Sequence, residues 1–312
     1  KAALKKRMGV PEEREPSIIE RTLSGDFPKD ILSVPLTQFG YDVFLRAAAS
    51  ISPSGNVPVG PDYSIGPGDQ LTLTLWGTTE GIYNFTVTKE GNITLPKVGV
   101  VHVAGVRFGD LENTLHRHLS RYYTNFNLSV AMGSLKTITV YVVGEVENPG
   151  AYSLNSLTAV YGALFAAGGP TKKGTMRKVQ VIRSGKVVKT IDLYDFLIRG
   201  IRSQDARLQH EDTVFVPLIG SVAGVAGTVY RPAIYEFKEG DTLGDLLETA
   251  GGIMPIGSSK RVQISRFADH RMMIVLDVKL PESATPPSQE TPELKEKVRN
   301  MDTISVFPMY DK

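Results

Sequence analysis

Residues 144–183 and 227–266 carry one pattern twice, aligned without a gap at a constant offset of 83 residues. Gly144-x-Val146, Pro149 and Tyr152 return as Gly227-x-Val229, Pro232 and Tyr235. Ala167-Gly168-Gly169 returns as Ala250-Gly251-Gly252, and Val179-Gln180 with Arg183 returns as Val262-Gln263 with Arg266. Each copy closes alike, Asp212-Thr213-Val214-Phe215-Val216-Pro217 answering Asp302-Thr303-Ile304-Ser305-Val306-Phe307-Pro308. A repeat this long is a duplicated domain, too large for a solenoid unit. Duplicated modules without a catalytic set build surfaces, rings or conduits.

Several functional classes drop out on composition. A net charge of +2, with basic residues spread among acidic ones, gives no footprint for nucleic acid. The opening Lys1, Lys5, Lys6 and Arg7 read as a solvated helix face. The chain has no cysteine, which removes disulfides, thiolate metal sites, iron–sulfur clusters and thiol nucleophiles together. No apolar run approaches the roughly 18 residues a membrane-spanning helix needs. The run from Leu218 to Gly227 is short and glycine-rich, as expected of an interdomain strand. No signal peptide is visible, and the absence of an initial Met reads as a processed or truncated chain.

Four segments follow from the punctuation. Residues 1–56 form an N-terminal extension and linker, where Pro11, Pro16, Pro28 and Pro35 break any long helix. Residues 57–135 open on the turn Gly66-Pro67-Gly68-Asp69, then Leu71-Thr-Leu73-Thr-Leu75 alternates as a half-buried strand. Phe85 to Val87, Ile93 to Pro96, Val98 to Val103 and Leu128 to Val130 supply further strands. Leu111, Leu115, Leu119 and Tyr122 fall on one helical face. Residues 136–218 and 219–312 are the two copies, each reading as strand, turn, strand, helix, strands. In the first, Leu157, Val160, Tyr161, Leu164 and Phe165 mark a helix that Gly168-Gly169 ends as a left-handed cap, and Ser184-Gly185 signals a hairpin. In the second, Thr242-x-x-Asp245 resembles a capping box. The proline-rich stretch 281–292 is a long surface loop, because the closing strand still lies beyond it. The expected fold class is α+β: a β-rich domain followed by two modules, each one helix on a small mixed sheet.

The chemically suggestive residues have structural readings. His116 and His118, two apart on a helix, diverge and cannot share one ion. Gly66-Pro67-Gly68-Asp69 is a structural turn and no phosphate cradle, since Pro67 lacks a backbone donor and no lysine-bearing phosphate loop follows. The glycine pairs follow helices, whereas anion sites form at helix N-termini. Asp212 and Asp302 occupy matching strand starts and make equivalent turn hydrogen bonds, not an acid–base pair. No catalytic, cofactor-binding or metal-binding residue is assigned. Trp76, Tyr83, Tyr122 and Tyr123 offer aromatic faces of the sort that grip carbohydrate. Of these, Trp76, just after the first alternating strand, and Tyr83, in the connection Gly77 to Asn84, are the candidate glycan or lumen contacts.

Tyr63-x-Ile65-Gly66-Pro67-Gly68-Asp69-x-Leu71 resembles the opening motif of the bacterial polysaccharide export family. Val87-Thr-Lys-Glu-Gly91-Asn-Ile93-Thr-Leu95-Pro96-x-x-Gly99 and Val103-Ala-Gly105 match the next stretch of that domain, with Lys89-Glu90 where Asp or Asn is common. The two repeats, with Gly-x-Val-x-x-Pro-Gly-x-Tyr (Arg231-Pro232-Ala233 in the second) and Ala-Gly-Gly, are similar to the soluble-ligand-binding β-grasp (SLBB) domains that follow it. Phe39-Gly40-Tyr41-Asp42-x-Phe44 is similar to the lead-in of larger exporters.

What the resemblance implies is an export domain at 57–135 and SLBB domains at 136–218 and 219–312. They stack as rings in the periplasm, associated with the outer membrane, as a passive conduit for capsular polysaccharide or exopolysaccharide. Its partners would be the polymer, further copies of the chain, and an inner-membrane polysaccharide co-polymerase of tyrosine-kinase type that supplies the energy. The chain lacks the family's lipidated cysteine and a terminal amphipathic helix, which implies a longer natural protein. The alternative is a periplasmic glycan- or soluble-ligand-binding module that forms no conduit. The SLBB fold also occurs in respiratory complexes, but a chain without cysteine cannot hold their iron–sulfur clusters.

Overall fold

Pro16 stops any upstream helix, and Ser17 with Glu20 starts a new one. The Ser17 hydroxyl accepts from the Glu20 amide at 3.1 Å, while the Glu20 carboxylate accepts from the Ser17 amide at 2.7 Å. This capping box opens α1 (Ile18–Gly25), and the single turn and a half of α2 (Asp42–Ala47) follows. The computed structural model describes residues 15–27, 31, 35–47, 59–255, 257–268, 272–278 and 292–308. The basic cluster Lys1 to Arg7, the linker at 51–58 and the loop 281–291 lie outside the described residues.

The alternating leucines behave as period-two burial demands. β1 (Gln70–Gly77) buries Leu71, Leu73 and Leu75 and turns its other face outward. β2 (Gly81–Thr86) pairs with it antiparallel, and the hairpin β3 (Asn92–Leu95) with β4 (Gly99–His102) adds Ile93, Leu95 and Val101 to the same core. Helix α3 (Phe108–Leu119) lays Leu111, Leu115 and Leu119 on that core, and β5 (Phe126–Met132) completes the sheet order β2-β1-β5. The helix ends before Tyr122, which is exposed and not on its apolar face. Tyr83 likewise differs from expectation. It lies inside β2, where it pairs with Leu73 on the strand face that packs on the core.

The first repeat comprises β6 (Thr137–Gly144), β7 (Gly150–Asn155), α4 (Val160–Ala166), β8 (Val179–Arg183), β9 (Lys186–Ile191), α5 (Leu193–Arg199) and β10 (Thr213–Val216). The second comprises β11 (Val222–Gly227), β12 (Ala233–Glu236), α6 (Leu243–Thr249), β13 (Gly257–Ala268), β14 (Met272–Val278), a 3₁₀ turn (Pro292–Lys295) and β15 (Thr303–Pro308). Their sheets have one topology, β7-β6-β10-β8-β9 and β12-β11-β15-β13-β14. In each, the first and last strands run parallel at the centre, Gly144 opposite Val216 and Gly227 opposite Val306. Both glycines hold φ +90°, and a Cβ on either would overlap the opposing valine carbonyl oxygen, which explains their identity. Gly168-Gly169 and Gly251-Gly252 all have positive φ and cap α4 and α6, and Thr242 with Asp245 forms the expected capping box.

The copies differ where their sequences do. Among the described residues the second repeat has one α-helix and a 3₁₀ turn, whereas the first has two α-helices. Asp192 accepts from the Tyr194 amide at 3.0 Å and starts α5, burying Leu193 and Tyr194. Leu157 stands outside α4 and packs on the export-type core instead. Residues 15–47 are also more than an extension. Leu23, Phe27 and Leu36 cover the outer sheet face of the second repeat at Val222, Ala226 and Ile234. That second cover buries β11 on both sides, so Val222 to Gly227 is an apolar run and not an alternating one. Gln38 bridges Ile234 in parallel, while its side-chain amide donates to the Lys172 carbonyl at 2.9 Å. Phe39 rests on Tyr194 and Tyr235, each 5.2 Å between ring centres, so one segment seals the seam between repeats. No helix among the described residues is long and apolar enough to cross a membrane.

Asp212 and Asp302 are fully buried, and each takes a two-pronged ion pair from the arginine of its own repeat. Arg183 reaches Asp212 at 2.7 Å through both nitrogens, and Arg266 reaches Asp302 at 2.9 and 2.8 Å. Each carboxylate also accepts the amide three residues before it, from Gln209 and Arg299. Arg266 is 5% exposed and Arg183 35%, so water can replace the second far better. Arg266→Ala is expected to cost about 3–5 kcal/mol and Arg183→Ala about 2 kcal/mol, read from urea unfolding midpoints. Equal losses would contradict this account of the pair.

Candidate functional site

The turn motif Gly66 to Asp69 points inward. Asp69 is fully buried, and its carboxylate accepts the Gly66 amide at 2.8 Å and the Tyr63 hydroxyl at 2.8 and 2.9 Å. It also accepts the amide of Lys136, the residue that leads into the first repeat, at 2.8 Å. Tyr63 continues the path to the Ser156 hydroxyl at 2.9 Å, and burial pushes its phenol well above the ordinary range. Since Gly66 spends its amide on Asp69, the motif has no free cradle for an anion.

A second buried carboxylate sits at the next boundary. Glu236 on β12 accepts the Gly220 linker amide at 3.0 Å, the Thr175 hydroxyl at 2.6 Å and the Met176 amide at 2.8 Å. Its own amide donates to Tyr194 of the first repeat at 3.0 Å. Around it Arg177 meets Asp192 at 3.1 Å and lies 4.8 Å over the Tyr194 ring, and Lys238 meets Asp192 at 2.7 Å. Burial raises the Tyr194 phenol pKa, so it stays a neutral hydrogen-bonding partner. Neither carboxylate joint was anticipated from the sequence as a contact between domains.

The structure separates the two candidate aromatics. Trp76 stands on the outer face of the β2-β1-β5 sheet, 45% exposed, opposite Asn127 in register and on the side of Thr72, Thr74, Asn84 and Ser129. Ile82 shares that face. Tyr83 pairs with Leu73, so it faces the core and stacks along Phe85 at 6.3 Å. Tyr123 packs edge-on against Phe126, while Tyr122 is exposed. His116 stacks on Phe126 at 4.9 Å and His118 bonds the Thr114 carbonyl, so the two imidazoles do not converge. Among the described residues no three metal-ligating side chains gather. What remains is a flat face of hydroxyls and amides around one indole, on a domain fixed to its neighbour by Asp69.

Comparison with known proteins matches that order of parts. Residues 57–133 fit the family model described as polysaccharide biosynthesis/export protein, and residues 139–216 and 222–277 fit two SLBB domain models. The chain carries a polysaccharide export domain followed by two SLBB domains, the order of parts that its motifs resemble. It is 31% identical over 203 residues to the polysialic acid transport protein KpsD of Escherichia coli, covering 64% of this chain and 36% of that relative. It is 29% identical over 291 residues to the EPS I polysaccharide export outer membrane protein EpsA of Ralstonia solanacearum, covering 81% of this chain and 77% of that protein. The chain thus spans little more than a third of KpsD. The matched models give the α+β multidomain class read from the sequence.

Asp69→Ala leaves the Gly66, Lys136 and Tyr63 donors without their acceptor, and the joint should lose at least about 3 kcal/mol. Calorimetry is expected to resolve the export domain as a separate, earlier transition, with the SLBB transition unmoved. A single unsplit transition would show that the joint does not depend on Asp69.

Proposed function

We propose that this protein is the periplasmic part of an outer-membrane polysaccharide export channel, whose copies close a ring that conducts capsular polysaccharide or exopolysaccharide passively. The observation that carries the proposal is the pair of carboxylate joints. They hold the export domain and both SLBB domains in fixed register, as the wall of a stacked conduit requires. The names of the similar proteins, transport and export proteins, support the same reading. A ring needs a heterologous interface, one patch of each copy meeting a different patch of the next. A polymer must enter yet keep sliding, so contacts along its path are weak and repeated. Trp76 fits such a contact: its apolar indole face suits the C–H face of a sugar, and neighbouring threonine and asparagine groups exchange hydrogen bonds with water or hydroxyls at little cost. An inner-membrane co-polymerase partner supplies the energy, and the protein performs no chemistry on the polymer.

The same exposed indole also favours a second reading, a periplasmic glycan-binding module. The two part in a strain lacking the gene. For a conduit, the wild-type gene restores surface polysaccharide, and Trp76→Ala lowers the export rate several-fold with an unchanged unfolding midpoint. Restored export at the full rate by Trp76→Ala removes the indole from the polymer path. Normal surface polysaccharide in the deletion strain, beside saturable glycan binding by the monomer, overturns the conduit in favour of the binding module.

A further inference from the structure

The duplication exposes a difference in how sheet edges are used. In the second repeat the outer edge of β12 is occupied: Phe39 donates to the Ile234 carbonyl and Ile234 to the Thr37 carbonyl, both at 2.9 Å. The N-terminal segment therefore lies along that edge as an added strand. β7 is the matching strand of the first repeat, Tyr152 standing where Tyr235 stands in β12. No described segment pairs with its outer edge, and Ala151 and Ser153 are exposed there.

At the far edge of each sheet no described segment pairs with the outer side of β9 or β14. Val187 and Val188 on β9 are 54% and 50% exposed, and Ile274 and Val275 on β14 are 40% and 48% exposed. Val187 and Val275 are equivalent, since Val187 faces Ile182 as Val275 faces Ser265, while Val188 is the extra residue of a bulge in β9. An apolar free edge is a site for strand addition, and monomeric proteins normally blunt it. Here exposed apolar side chains stand on that edge strand in both copies, Val187 answering Val275. The β9 edge is also basic, with Lys186 and Lys189 in no ion pair among the described residues. Glu145 and Glu147 stand in the turn that leads into β7 at the opposite edge.

The geometry points to a strand-addition contact between copies of this chain, in which β9 of one lies along the free edge of β7 of the next. The contact rests on the ring reading and gives it a wall. Main-chain hydrogen bonds supply affinity, as in other strand additions. Val187 and Val188 lose their exposure, and the lysines of β9 approach the glutamates beside β7. Because the two edges differ and lie on opposite sides of one sheet, the contact is heterologous and repeats from copy to copy.

The absence of native cysteine makes the test clean. The full chain carrying Ser153→Cys with Val188→Cys is treated with a short bis-maleimide and run on a denaturing gel. The expected result is a ladder of linked copies, absent from either single variant. Val187→Asp with Val188→Asp is expected to abolish oligomers in native mass spectrometry while leaving the unfolding midpoint unchanged. Wild-type rings with no ladder, or rings that survive the aspartates, overturn this contact and leave the ring reading intact. Wild-type protein that stays monomeric in detergent and in solution overturns both.

Discussion

A buried carboxylate pins each domain boundary of this molecule. Asp69 takes the amide of Lys136 at the entry to the first repeat, and Glu236 of the second repeat takes the Thr175 hydroxyl and the Met176 amide of the first. A buried carboxylate left without donors would be costly, so each joint must form completely or not at all. Tyr63 with Ser156 and Tyr194 with the Glu236 amide extend the bonds sideways, and turn two flexible boundaries into fixed angles. Everything proposed about a conduit depends on that fixity, because a wall assembled from several domains per copy needs every level to keep its orientation.

The duplication supplies the second constraint. One sheet order and one pair of left-handed strand-end glycines recur, and so does an arginine on a buried aspartate, so both modules solve the same internal problem in the same way. They part company at their surfaces. The second module spends its outer face and its β12 edge on the N-terminal segment of its own chain, whereas in the first Tyr141 is exposed and no described segment pairs with the outer edge of β7. After a duplication, identical interiors with different exteriors leave one copy free to meet other molecules.

Much of this was legible in the sequence. The constant offset identified the modules, and alternation at Leu71, Leu73 and Leu75 identified the first sheet. Gly168-Gly169 and Thr242-x-x-Asp245 marked helix ends, because local backbone chemistry writes local signals. The pairing of Arg183 with Asp212 could also have been read, since both members return at matching positions as Arg266 and Asp302. What stayed hidden is long-range. The bond from Gln38 to Lys172 joins residues 134 apart, and no periodicity announces it. The place of Tyr83 is set by its pairing with Leu73 across the hairpin, a partner ten residues away that local turn chemistry does not mark. The role of Asp69 as a joint was masked by its motif, whose glycines and proline already explained a turn.

The central claim is that rigid copies of this chain close around a lumen. Electron microscopy of the intact protein extracted in detergent tests it most directly. The account predicts closed rings with a central channel and one subunit number across particles. Uniform monomers, or open filaments without closure, would contradict it.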